Sequence, residues 1–103
     1  MWGKRKEQKN ILIVGGFHKA RSLATSLLKK GYRVTVINKD YEDCEKLAEV
    51  NKLNVIYGDG SKKFILKDAV AGDCQVAIAL TDSDEINLVI CEMCKQFFHV
   101  SYV

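Results

Sequence analysis

The chain has 103 residues, which suits one domain, so a membrane span or a second catalytic domain is expected on another chain. Its 48 % hydrophobic and 28 % charged residues fit a folded globule and exclude the disordered and collagen-like classes. A net charge of +3 is too small to argue for nucleic acid, and no apolar run approaches the ~20 residues that would cross a bilayer. The positive charge gathers in Lys4, Arg5, Lys6 and Lys9, so residues 1–9 read as a basic, solvated N-terminal tail and residues 10–103 as the domain. The start lacks the apolar stretch of a secretion signal, which predicts a cytoplasmic protein whose four cysteines are reduced thiols.

The first apolar run, Ile11 to Val14, is short, rich in branched residues and stopped by Gly15-Gly16, which predicts a buried strand. Ala20, Leu23, Ala24, Leu27 and Leu28 then recur at helical spacing, with Gly31 placed as the C-terminal cap. Val34 to Ile37 reads as a second strand, and Asp40 as the cap of a helix with Cys44, Leu47 and Ala48 on its inner face. The unit repeats with a strand from Val55 to Tyr57, a turn at Gly58-Asp59-Gly60, and a helix capped by Ser61 that ends near Gly72. Val76 to Leu80 predicts a fourth strand. From Asp84 onward, Ile86, Val89, Ile90, Met93, Cys94 and Phe97 form a helical stripe, after which a fifth strand is expected to begin at Val100.

Strands alternating with helices of this length require crossover connections, so the predicted class is α/β, a Rossmann-like doubly wound parallel sheet in the order 3-2-1-4 with a truncated fifth strand. That order opens a crevice between the carboxyl ends of strands one and four, where such folds bind ligands. The search for function therefore narrows to Gly15–Arg21, Asn38–Asp40, Gly58–Ser61 and Thr81–Asn87.

A dinucleotide turn uses G-x-G-x-x-G, and the run here is Gly15-Gly16-Phe17-His18-Lys19-Ala20. Its first glycine is present and Ala20 is small enough for the third position. The second is Phe17, where phosphate oxygens would need bare backbone. The following helix start still offers free N–H groups and partial positive charge, with His18, Lys19 and Arg21 beside it to neutralise an anion, so both phosphate binding and a structural turn remain open. At the end of strand two, where an acid would accept both ribose hydroxyls, stands Asn38 followed by Lys39. Either Asn38 holds a ribose weakly and tolerates a 2′-phosphate, or it only shapes the turn. Asp59, Gly60 and Ser61 are explained by a capped turn, and Asp82 and Glu85 stand at capping-box spacing. Cys91 and Cys94 have C-x-x-C spacing but lie inside the last helix, which favours small core residues over zinc or redox chemistry.

Taken in order, Ile-Leu-Ile-Val-Gly-Gly-Phe-His-Lys-Ala, Val-Thr-Val-Ile-Asn-Lys-Asp, Tyr-Gly-Asp-Gly-Ser and Ala-Leu-Thr-Asp-Ser-Asp-Glu-Ile-Asn-Leu resemble the TrkA N-terminal (RCK or KTN) family from roughly Asn10 to Val103. The resemblance implies a cytoplasmic regulatory domain, peripheral to the membrane, that binds NAD(H) or an adenine nucleotide such as AMP, ADP or ATP. It implies a potassium channel or transporter subunit as membrane partner, and no catalysis. By the family's pattern Gly15, Gly16 and Phe17 would form the glycine-rich turn, Asn38 would take the ribose position, Asp59 and Gly60 would lie near adenine, and Thr81 with Asp82 at the far ribose or phosphate. Phe17 and Asn38 depart from that pattern, which points to a mononucleotide or a loosely held dinucleotide. Family domains run on through a further helix and strand that form a dimer interface, so the domain reads as C-terminally short. Its open edge and wide last-helix stripe predict a homo-oligomer formed through the last helix and the tail from His99. Two other readings stay open: a degenerate module that acts by assembly alone, and an NAD(P)-dependent oxidoreductase fragment lacking its substrate domain.

Overall fold

A computed structural model describes residues 9–70 and 74–98. The chain alternates β1 (Asn10–Val14), α1 (His18–Lys29), β2 (Arg33–Asn38), α2 (Tyr41–Leu47), β3 (Asn54–Tyr57), α3 (Lys63–Val70), β4 (Cys74–Ala79) and α4 (Asp84–Phe98). The four strands pair in parallel in the order β3-β2-β1-β4, as expected. The fifth strand expected at Val100 lies outside the described residues.

Because successive side chains of a strand point to opposite faces, β1 serves two cores at once. Ile11 and Ile13 join Val34, Val36, Ala20, Ala24 and Leu47 beneath α1 and α2. Leu12 and Val14 join Ile37, Ala77, Leu66, Ile90 and Cys94 beneath α3 and α4. This explains why β1 reads as an unbroken apolar run rather than an alternating one. Its neighbours shield both of its edges, which leaves β3 and β4 at the margins of the described sheet.

Helix boundaries follow local chemistry, with three departures from expectation. Gly31 takes a φ of 93° just past α1, a conformation that suits glycine. Asp40 caps α2 by accepting from the Asp43 N–H at 3.1 Å. Ala48, placed on the inner face of that helix by its spacing, is exposed, because α2 ends at Leu47. Ser61 does not cap α3: that helix begins at Lys63, the Lys62 carbonyl accepts its first bonds, and the Ser61 hydroxyl donates to Asp59 instead. At α4 the capping side chain is Ser83, whose hydroxyl accepts from the Ile86 N–H at 3.2 Å, rather than the Asp82–Glu85 pair. The stripe of α4 divides: Ile90 and Cys94 are buried, while Ile86 and Val89 remain exposed because the sheet reaches only one side of the helix. Among the described residues no helix is long and apolar enough to cross a membrane.

Candidate functional site

The strand ladder runs slightly past the strands themselves and so shapes a crevice at their carboxyl ends. Gly15 donates to the Ile37 carbonyl at 2.8 Å, Leu80 to Val14 at 2.8 Å, and Gly58 to Asn38 at 2.9 Å. These bonds hold the loops after β1, β2, β3 and β4 around one space of about 400 Å³. Of the residues proposed from sequence, Gly15, Gly16, Phe17, Asn38, Asp59, Gly60, Ser61, Thr81 and Asp82 line it. His18 and Lys19 do not: they lie with Ser22, Leu23 and Ser26 in a separate shallow groove on the outer face of α1. Both follow the N-cap directly, and the helical rotation per residue carries them away from the crevice.

The glycine turn is built for close approach. Gly15 and Gly16 have φ of 84° and 82°, a region that side chains seldom occupy. A Cβ on Gly15 would fall 2.5 Å from the Thr81 methyl, and one on Gly16 would fall 3.1 Å from the Leu80 carbonyl oxygen. Phe17, by contrast, has a φ of −127° and occupies the N-cap of α1, so its position places no demand for glycine on the backbone. Its half-buried ring packs against the core beneath α1 and α2, lies edge-on to His18 with centroids 4.8 Å apart, and receives the Lys46 ammonium 5.8 Å from its centroid. The ring is thus anchored on the α2 side of the turn. No side chain caps α1 and no acid stands in its first turn, so its amino end keeps unmet N–H groups and partial positive charge.

Asn38 is the buried polar residue at the end of β2, only 6 % exposed. Its Nδ2 donates to the Gly16 carbonyl at 3.0 Å and its Oδ1 accepts from the Asp40 N–H at 2.7 Å. One amide therefore bolts the glycine turn to the β2–α2 turn. Across the crevice, Asp59 accepts from both the N–H and the hydroxyl of Ser61, at 2.9 and 2.7 Å, and these bonds hold its carboxyl below the usual range. Gly60 is buried against β1, and a Cβ there would collide with a Val14 methyl, so the close approach requires glycine.

Thr81 is fixed by Asn87, which ends the last of the four loops singled out from sequence but carries no assigned role there. The Asn87 Oδ1 accepts from the Thr81 N–H at 2.9 Å and from its hydroxyl, while Asn87 Nδ2 donates to the Thr81 carbonyl at 3.1 Å. An asparagine in the first turns of an apolar helix is a weak helix former, and that was the available signal. Asn87→Ala leaves the Thr81 backbone groups unpaired, and we expect it to cost about 1–3 kcal/mol. Calorimetry should show Tm falling by roughly 5–15 °C with helical content retained below the transition.

Among the described residues that line the crevice, Lys39 is the cation, against Asp40, Asp43, Asp59 and Asp82. A phosphate would therefore rest on backbone N–H groups at the α1 start more than on side chains. Burial raises the thiol pKa of Cys44, Cys74 and Cys91 and pushes that of Cys94 up to about 11, which favours the protonated form of each. Protonated thiols are poor nucleophiles and poor metal ligands. No cluster of three metal-ligating side chains occurs among the described residues.

Known proteins share this architecture. The NAD-bound GsuK channel superposes with a TM-score of 0.77 over 96 % of this chain and 18 % of its own, at 22 % identity. An NADH complex of 3-ketoacyl-(acyl-carrier-protein) reductase from Brucella melitensis gives 0.55 over 69 % of this chain and 33 % of its own, at 23 % identity. At those identities the likeness establishes the fold. In sequence, the Trk system potassium uptake protein TrkA of Haemophilus influenzae is 33 % identical over 89 residues, covering 86 % of this chain and 19 % of that protein. The chain thus spans about a fifth of the length of that relative. The family model of the TrkA-N domain matches residues 11–103, across all four crevice loops, and on that match the chain belongs to the TrkA-N domain family.

Proposed function

We propose that this chain is a cytoplasmic regulatory domain of a potassium channel or transporter, and that it senses an adenine nucleotide or NAD(H) in the crevice between β1 and β4. The observation that carries the reading is the paired positive-φ glycines, Gly15 and Gly16, leading into an uncapped helix start at the topological switch point. Phosphate would lie at the amino end of α1, with Thr81 and Asp82 on one side and the Asp59–Ser61 turn near the base. The relatives in potassium uptake and the NAD-bound channel support both the transport setting and the ligand class. A space of about 400 Å³ lies in the lower part of the range for small-molecule pockets, which suits a mononucleotide or one half of a dinucleotide. No reaction is proposed. Among the described residues the lining brings together neither an activated nucleophile nor a tuned acid and base.

Exposed Phe64, Leu88 and Val89 on the α3–α4 side support assembly with further copies or with a membrane partner. The proposed homo-oligomer contact through the tail from His99 lies outside the described residues.

A second reading, a module that acts by assembly without nucleotide, is favoured by the Asn38 amide being engaged within the chain. Thermal denaturation separates the two. A ligand at 100 times its Kd stabilises by about 2.7 kcal/mol, which in a domain of this size raises Tm by roughly 10 °C. AMP, ADP, ATP, NAD and NADH are each tested at millimolar concentration. A rise with at least one of them is expected, and no shift with any of them favours the assembly reading.

A further inference from the structure

Whether the pocket reads the sugar of a nucleotide is decided by the acceptors that stand at the end of β2. A nucleotide pocket of this architecture distinguishes ribose from deoxyribose when a side chain at the end of β2 has free acceptors for the sugar hydroxyls. Asn38 has neither the chemistry nor the freedom. An ionised carboxylate presents two acceptor oxygens, whereas an amide presents one oxygen and one nitrogen. Here the oxygen accepts from the Asp40 N–H at 2.7 Å and the nitrogen donates to the Gly16 carbonyl at 3.0 Å. With the residue only 6 % exposed, little of the amide surface remains for a ligand. Rotating it outward would leave the Gly16 carbonyl and the Asp40 N–H without their partner at the very turn on which phosphate would rest.

No other residue of the β2–α2 turn stands at the end of β2 itself, which closes at Asn38. The next residue, Lys39, is a cation with donors only, and beyond it the Asp40 carboxylate commits one oxygen to capping α2 through the Asp43 N–H.

We infer that Asn38 is a positioning residue that braces the glycine turn, and that the pocket consequently binds adenine nucleotides without reading the 2′-hydroxyl of the sugar. This rests on the nucleotide reading above and narrows its ligand class to adenylates recognised by base and phosphate. It departs from a site with an acid at the end of β2, where losing a hydrogen bond to a charged acceptor weakens binding by on the order of tenfold to a hundredfold.

The test is titration calorimetry of the unmodified protein with AMP and with 2′-deoxy-AMP, and no variant is needed. The two Kd values are expected to agree within about threefold. Threefold or greater preference for AMP overturns the inference while leaving the nucleotide function standing, and would place sugar recognition on another carboxylate of the lining. Binding of neither compound, nor of ATP or NAD in the same cell, overturns the nucleotide function and this inference with it.

Discussion

Asn38→Asp is expected to destabilise the domain by about 2–4 kcal/mol at neutral pH, although it restores the acid that nucleotide-binding turns of this architecture carry. The substitution is nearly isosteric, so no cavity forms. What changes is the hydrogen-bond sign at one atom: the nitrogen that donates to the Gly16 carbonyl at 3.0 Å becomes an acceptor oxygen facing another acceptor. Burial adds to the cost, since the site leaves only 6 % of the residue exposed. The Asp40 N–H, at 2.7 Å from Oδ1, keeps its acceptor and recovers part of the loss.

The variant should also acquire a pH dependence that the natural chain lacks at this position. In the folded state the new carboxyl is pushed above its ordinary value, because only its protonated form can donate to Gly16. A folded state that holds its proton more tightly than the unfolded chain is stabilised as pH falls. The deficit is therefore full above the raised folded-state pKa. It shrinks as pH drops through that value and is smallest below the ordinary aspartate pKa of about 3.9. Urea denaturation of both proteins at pH 7 and pH 4.5 measures this, and the gap in ΔG should narrow at the lower pH. A variant as stable as the natural chain at pH 7 would show that Asn38 does not brace the turn.

Gly15→Ala carries the second large effect, and two independent causes add. The backbone at Gly15 sits at a φ of 84°, where a Cβ costs about 1–2 kcal/mol. That Cβ would also stand 2.5 Å from the Thr81 methyl and 3.1 Å from the Thr81 backbone. Thr81 cannot retreat freely, because Asn87 grips its N–H, hydroxyl and carbonyl. We expect a loss of about 2–4 kcal/mol, and a fall in Tm of roughly 10 °C or more. The same displacement forces the β1 and β4 loops apart, so nucleotide affinity should fall beyond what stability explains. Binding measured well below the transition, where the variant remains folded, isolates that component. Combining Gly15→Ala with Asn87→Ala tests the coupling. Once Thr81 is released the clash is relieved, so the double variant should be more stable than the sum of the two losses implies.

Both predictions rest on the β1–α1 turn, a place where sequence and structure divide the explanation. The unbroken apolar runs of β1 and β2, and the helical spacing of Ala20, Ala24, Ile90 and Cys94, determine an α/β alternation by periodicity alone. Short parallel strands with helical crossovers then leave few sheet orders, and 3-2-1-4 is the one found. The crevice loops were legible for the same reason, since a strand order that reverses at β1 places its loops at a predictable point. Gly15 and Gly16 declared themselves because their residue type tolerates the backbone the turn adopts.

Side-chain direction and hydrogen-bond partnership were decided only by the folded chain. Phe17 looked like an obstruction when read as a letter in a motif, yet its ring is drawn towards Lys46 and the α1–α2 core, contacts made by residues far along the chain. His18 and Lys19 looked like phosphate ligands by adjacency, and the rotation of α1 carries them outward. Ser61 and Asp82 were plausible caps by composition, but Asp59 claims the Ser61 hydroxyl, and Ser83 captures the Ile86 N–H. For Asn38 the residues left two roles open, a sugar ligand or a brace. Its partners are the Gly16 carbonyl, 22 positions away, and the nearby Asp40 N–H. Periodicity records which face a residue turns towards the core, and for that reason the sequence determined the layers of this domain. A polar group takes its partner from whichever donor or acceptor the packed chain brings within about 3 Å, so tertiary structure alone decided what Asn38, Phe17 and Asn87 do.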